Sequence, residues 1–195
     1  MRERILDAIG RMIVRDGLAS VGINALAREA GCDKVLIYRY FDDLEGVYGA
    51  FASRSDFWWT LEDLTEGIDP AKHSATDAIK LLLRRSADAI RARPVTLAVL
   101  AAEPVERTPL VVALESVREK RALELGHWMG ERFTLPRRVD VAAITLLLGV
   151  ALNYLAVRAR KIRVMSGVAI KTDKDWERLF AAVDTIVDGV FGEAA

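Results

Sequence analysis

Cysteine occurs once and histidine twice in the 195 residues. A single thiol, Cys32, cannot close an internal disulfide, which fits a reducing compartment such as the cytoplasm. Charge of one sign is not in excess: 28 basic residues face 28 acidic ones, so composition as a whole does not advertise a polyanionic partner. The N-terminal stretch MRERILDAIG has no long apolar region of the secretory kind, and export is not expected. No alternating run is long enough to argue for a strand, and there is neither an internal repeat nor a low-complexity tract. The glycine and serine patterns of phosphate loops, dinucleotide folds and hydrolase elbows are missing too. Glu124 and His127 have the Glu-x-x-His spacing of di-iron bundles, but no second pair exists, since His73 lies in the polar stretch PAKHSAT. Gly126 and Gly130 read as close helix packing. Neither catalysis nor a metal or cofactor is expected.

What is present is helix. Hydrophobic residues make up 52% of the chain, enough to bury a real core. Ile5, Leu6, Ile9, Met12 and Ile13 recur at the helical period, and Gly17 stands where a helix stops. A second helix is predicted over about 23 to 30 and closes at Gly31; a third follows Asp33, a good N-cap, and runs to Phe41; Asp43 caps a fourth. Further helices are predicted at about 75 to 92, 94 to 102, 107 to 133, 138 to 163 and 173 to 191, with the prolines at or near their boundaries. The class is all-α. The run VAAITLLLGVALNYLAV followed by RARKIR has the look of a membrane segment with a stop signal, but it is short and holds Thr145 and Asn153. A helix apolar all round is equally suited to burial between helices or between subunits, and burial is what the run predicts.

The stretch KVLIYRYF, from Lys34, is the most informative. With Ile37 pointing inward, Phe41 falls about 40° from it, whereas Val35, Leu36, Tyr38 and Arg39 fall about 100° or more away. The outward face therefore offers methyls, a phenol and a guanidinium, the groups that meet thymine methyls, phosphates and guanine in a major groove. Packing against another helix is the competing explanation. Together with the short helix and tight turn before it, the segment forms a helix-turn-helix pattern.

The order of residues from Ile5 to about Phe51 resembles the N-terminal DNA-binding region of TetR-type transcriptional regulators. The matching residues are Gly17, Leu26, Ala27, Ala30, Gly31, Cys32, Asp33, Ile37, Tyr38, Tyr40, Phe41 and Val47. The resemblance implies a three-helix DNA-binding domain over 1–45, a larger helical effector-binding and dimerisation domain over 46–195, and a homodimer on a double-stranded operator, released by a small molecule. It places Asn24 at a base-contacting position, Lys34, Val35, Leu36, Tyr38 and Arg39 on the recognition helix, and Tyr40 where a phosphate-contacting histidine is frequent. Gly22 stands in place of the usual Thr and Leu44 in place of the usual Lys, so two phosphate contacts are missing. Residues 1–41 carry seven basic and five acidic side chains, and Asp42, Asp43 and Glu45 bring the segment to a net charge of −1. A dimeric helical ligand-binding or interaction protein with lost or weak DNA binding is therefore the alternative. Arg2 and Arg4 are either DNA-backbone contacts from an arm or solvated helix charges.

Two further sets of residues follow. Helix 138 to 163 is too apolar for water, and helix 173 to 191 carries a broad apolar stripe; paired with their copies they would make a twofold four-helix interface through Leu147, Val150, Asn153, Trp176, Phe180, Val183 and Val187. Asn153 serves either that interface or a ligand cavity. Phe51, Trp58, Trp59, Trp128 and Tyr154, with Arg121 and His127 as polar anchors, are the candidates for the effector site.

Overall fold

A computed structural model describes residues 1–54 and 56–192. Among them are ten α-helices and one hairpin of two short strands: α1 (Arg2–Asp16), α2 (Ile23–Ala30), α3 (Lys34–Phe41), α4 (Leu44–Ala52), α5 (Leu61–Thr65), α6 (Ala75–Arg91), α7 (Pro94–Ala102), α8 (Pro109–Arg132), α9 (Val141–Ala159), β1 (Val164–Met165), β2 (Val168–Ala169) and α10 (Asp173–Phe191). The chain divides into two compact units, Met1–Trp58 with Ala92–Arg121, and Trp59–Arg91 with Ala122–Ala195. The first compact unit thus runs past the predicted boundary at residue 45, because Val47, Tyr48 and Phe51 of α4 are buried and α4 packs on both α1 and α3.

In the first unit α1 is the central element, packed against α2, α4 and α7. Its buried stripe is the predicted one, Ile5, Leu6, Ile9, Met12 and Ile13, joined by Ala8. Gly17 ends the helix at φ 86°, a left-handed backbone that side-chain-bearing residues avoid. Tyr48 ties α4 to the entry of α2: its buried hydroxyl donates to the Val21 carbonyl at 2.7 Å. Burial pushes that phenol above the usual tyrosine range. Tyr48→Phe leaves the carbonyl without its donor and should cost about 1–3 kcal/mol of unfolding free energy, measured by urea denaturation. A group raised on folding stabilises fully below its unfolded value and loses that contribution as pH climbs through the raised one. Wild type should therefore lose stability to alkali above about pH 10, and Tyr48→Phe should lose less.

In the second unit α6 packs against α5, α9 and α10. Trp176 and Phe180 of α10 lie ring to ring at 5.7 Å, with the guanidinium of Arg91 over the first at 4.5 Å and that of Arg84 over the second at 4.3 Å. The indole N–H of Trp176 donates to the Ile170 carbonyl at 3.0 Å. These contacts correct one expectation. Trp176, Phe180, Val183 and Val187, predicted at a subunit interface, are buried within the protomer at 1%, 2%, 9% and 0% exposure. An apolar stripe that meets α6 of its own chain is not available to a partner.

The opposite holds for α9. It is the one helix among the described residues long and apolar enough to cross a membrane, yet only 11% of its apolar stretch is buried. Leu146, Leu147, Val150 and Tyr154 are more than half exposed, Asn153 is half-buried, and Leu152 and Ala156 face inward. The predicted helix over 138 to 163 is shorter at both ends: Asp140 caps α9 by accepting from Ala143 N at 2.9 Å, and beyond Ala159 the chain enters the hairpin. Val164 pairs with Ala169 and Met165 with Val168 around a Ser166–Gly167 turn, both at positive φ. Sequence reasoning expects no strand here, although Ser-Gly is a turn signal. Helix α5 is likewise unforeseen, despite the Thr60–Asp63 capping box that starts it.

Candidate nucleic-acid interface

Helix α3 is short, and its orientation is set by two side chains. Ile37 is fully buried and Phe41 is 6% exposed, so these are the buried anchors that hold it to the domain, while Val35 at 67%, Tyr38 at 44% and Tyr40 at 45% stand in solvent beside exposed Lys34 and Arg39. Leu36 is half-buried. Apart from Leu36, the face that periodicity turns away from Ile37 is thus open and, among the described residues, not covered by another helix. Neither Lys34 nor Arg39 has a side-chain partner among the described residues, leaving both cations unengaged. Asn24 is exposed in the first turn of α2.

Local chemistry fixes both ends of this helix. The Asp33 carboxylate accepts from Val35 N at 2.7 Å and starts α3; Asp43 accepts from Gly46 N at 2.7 Å and starts α4. A Cβ on Gly46 would meet the Phe41 carbonyl oxygen, so only glycine lets α4 begin this close to the end of α3. The turn between α2 and α3 pivots on Gly31, in the left-handed region at φ 62°. Arg4 holds that turn: its guanidinium donates to the carbonyls of Ala30 at 2.7 Å and Gly31 at 3.4 Å, supplying the acceptor-rich end of α2 with a cation. Arg2 lies 5.1 Å over the Phe41 ring and pairs with Glu3. Arg4 therefore takes neither of the two roles that its place in the sequence suggests; it is a brace of the helix-turn-helix, and no periodicity argument could have seen its distant carbonyl partners.

A second brace joins α1 to α2. Glu29 accepts from Arg11 at 2.9 Å and from Arg15 at 2.9 Å, and these hydrogen bonds hold its carboxyl below the usual range. Arg15 also pairs with Asp16 at 2.7 Å, lowering that carboxyl. At the far end of α4, Arg54 reaches Asp7 at 2.8 Å and Asp56 at 2.6 Å. These arginines of the first unit are thus engaged in structure, whereas the cations of α3 are not.

The family model described as "Bacterial regulatory proteins, tetR family" matches residues 5–51. This N-terminal segment is similar to the DNA-binding region of that family. An uncharacterised HTH-type transcriptional regulator of Mycobacterium tuberculosis is 42% identical over 52 residues, which are 27% of this chain and 26% of that relative. The TetR-type match in sequence is thus confined to about a quarter of the relative's length. In fold the likeness extends to the whole chain. The fatty acid degradation regulator FadR of Bacillus halodurans has a TM-score of 0.65 at 16% identity, covering 98% of this chain and 100% of its own. A TetR family transcription regulator of Marinobacter aquaeolei has a TM-score of 0.65 at 18% identity, with 94% and 93% covered. The FadR of Bacillus subtilis, solved in complex with stearoyl-CoA, has a TM-score of 0.64 at 14% identity, with both chains covered completely.

The residues expected at an effector site fall in both units. In the first, Phe51 and Trp58 are buried and bridged by Phe57, with ring centroids 5.9 and 6.2 Å apart. Arg121 donates to the Trp58 carbonyl at 2.6 Å, and Arg118, paired with Glu103, lies 5.4 Å from the Trp58 ring. In the second, Trp59 is buried, Trp128 is half-buried with its ring 5.9 Å from that of Phe133, and His127 and Tyr154 are exposed. His127 faces Glu131 at 3.0 Å.

Proposed function

We propose that this chain is a dimeric, cytoplasmic transcriptional regulator of the TetR type that binds an operator through α3, is released by a small molecule, and works by binding instead of catalysis. The observation that carries this reading is the open face of α3, with two unengaged cations, two phenols and an exposed Val35 on a helix held from behind by Ile37 and Phe41. Arg39 is suited to bidentate pairing with guanine, Val35 to a thymine methyl, Lys34 and the hydroxyls of Tyr38 and Tyr40 to the phosphates beside them, and Asn24 to an adjacent base. Twofold assembly follows from α9. Leu146, Leu147, Val150 and Tyr154 of α9 form an apolar surface too exposed to leave in water, and a second copy of the same surface covers it. Two recognition helices about 34–36 Å apart then meet successive turns of one groove.

Effector release requires that the small molecule bind one arrangement of the dimer better than the other. The buried aromatic group around Trp58, with Arg118 and Glu103 beside it, supports an effector of mixed apolar and charged character. A gel shift on the DNA upstream of the gene, run at several salt concentrations and with stearoyl-CoA among the added compounds, tests both parts. Selective binding of the upstream DNA over random DNA is expected, weakened by the compound that also raises the melting temperature. Absence of any selectivity at low salt would overturn the operator reading, and a compound that stabilises the protein without changing its DNA affinity would overturn the coupling.

A further inference from the structure

Most arginines of this chain are held by carboxylates or carbonyls; of the described ones that are not, Arg39 lies on α3 and three, Arg158, Arg160 and Arg163, fall in one short stretch. That stretch is the connection from α9 to α10. Residues 158–175 carry six basic and two acidic side chains, a net charge of +4 in a chain that is neutral overall. Both acids are engaged locally: Asp173 with Arg91 at 2.6 Å, and Asp175 in the capping box of α10, where it accepts from Thr172 N at 2.8 Å. Lys171 is engaged too, donating to the Ala159 carbonyl at 2.7 Å. Arg158, Arg160, Lys161 and Lys174 are exposed, and among the described residues none has a side-chain partner; Arg163, also exposed, has only the field of Asp175 nearby.

Stability alone does not account for this. Cations favour the C-terminal end of a helix, which explains Arg158 and Arg160 at the end of α9. The same rule disfavours Lys174, which sits in the first turn of α10. Lys161 and Arg163 lie beyond α9 on the approach to the hairpin, whose Ser166–Gly167 tip is exposed. Unengaged cations that repel one another along one connection are the form that binding to a line of phosphates takes, and the guanidinium fork fits a phosphodiester. The DNA-reading segment, at net −1 over residues 1–45, lacks the positive field that nonspecific DNA binding needs.

We propose that the α9–α10 connection, through Arg160, Lys161, Arg163 and Lys174, is a second contact with duplex DNA, gripping backbone phosphates without reading sequence. This rests on the DNA-binding reading of the chain. A lipid surface fits less well, because Val164 is the only exposed apolar side chain on this connection.

The test uses the full chain and a long random-sequence duplex, with fluorescence anisotropy over a salt series. In the variant carrying Arg160→Gln, Lys161→Gln, Arg163→Gln and Lys174→Gln, the slope of log affinity against log salt should flatten by about 0.9 for each phosphate that is no longer neutralised, and affinity should fall about tenfold or more. Preference for the upstream DNA over the random duplex should stay unchanged. Arg160→Lys with Arg163→Lys should keep the wild-type slope, which separates charge from folding. An unchanged slope in the glutamine variant overturns the proposal, as does a variant whose binding to phosphatidylglycerol vesicles falls while its DNA binding does not. If the wild type binds random duplex through these residues but prefers no sequence, the operator reading fails and this contact stands; if it binds no duplex at all, both fall.

Discussion

Replacing Leu147 and Val150 together with aspartate should leave a folded monomer that no longer holds its operator. The two side chains are 69% and 56% exposed in the protomer, so the substitutions remove nothing from its own core. At a twofold interface they would set four carboxylates against one another in an apolar contact, and burying unpaired charge costs more than such a contact supplies. Light scattering should show half the wild-type mass, with an unchanged helical signal by circular dichroism. Operator affinity should fall about 100-fold or more, because one recognition helix no longer raises the local concentration of the other. A variant that remains dimeric would place the interface elsewhere, and a wild-type chain that is monomeric would remove it altogether.

Trp176→Ala should act in the opposite way, on stability and not on assembly. The indole is 1% exposed, stacked by Arg91, in contact with Phe180 and hydrogen-bonded to the Ile170 carbonyl. Truncation opens a cavity and strands that carbonyl, a loss of about 3–5 kcal/mol for a buried aromatic. Urea denaturation at one fixed protein concentration measures it, since assembly adds to apparent stability. Below its melting point the variant should remain dimeric. A change in mass with little change in the unfolding midpoint would return Trp176 to the interface.

Helices α9 and α10 differ in how far their sequences could be read. Periodicity identifies which side of α10 is buried, and Trp176, Phe180, Val183 and Val187 are all inside; it does not say whether the covering surface belongs to the same chain. That depends on α6, whose Arg84 and Arg91 cover the aromatic rings, a tertiary fact with no local signal. Helix α9 is apolar on every side, so periodicity alone could not separate the face turned into the protomer from the one, with Leu147 and Val150, expected at an interface, and the structure supplies the distinction between buried Leu152 and exposed Leu147. The orientation of α3 was legible for a physical reason: with only eight residues, two inward anchors fix the orientation of all the others. Its supports were not, because Arg4 reaches Ala30 and Tyr48 reaches Val21 across more than twenty residues. The hairpin and α5 are short enough that their turn and capping residues were the only signs of them.

The most direct measurement is the operator affinity of Arg39→Ala against that of Lys34→Ala, each taken on the upstream DNA and on a random duplex. If α3 lies in the groove as described, Arg39→Ala weakens binding to the upstream DNA by about 1–3 kcal/mol and relaxes preference at one base pair, while its binding to random duplex changes little. Lys34→Ala weakens both equally. Operator affinity untouched by Arg39→Ala and abolished by Lys34→Ala would contradict this assignment of which side chain reads bases and which grips the backbone.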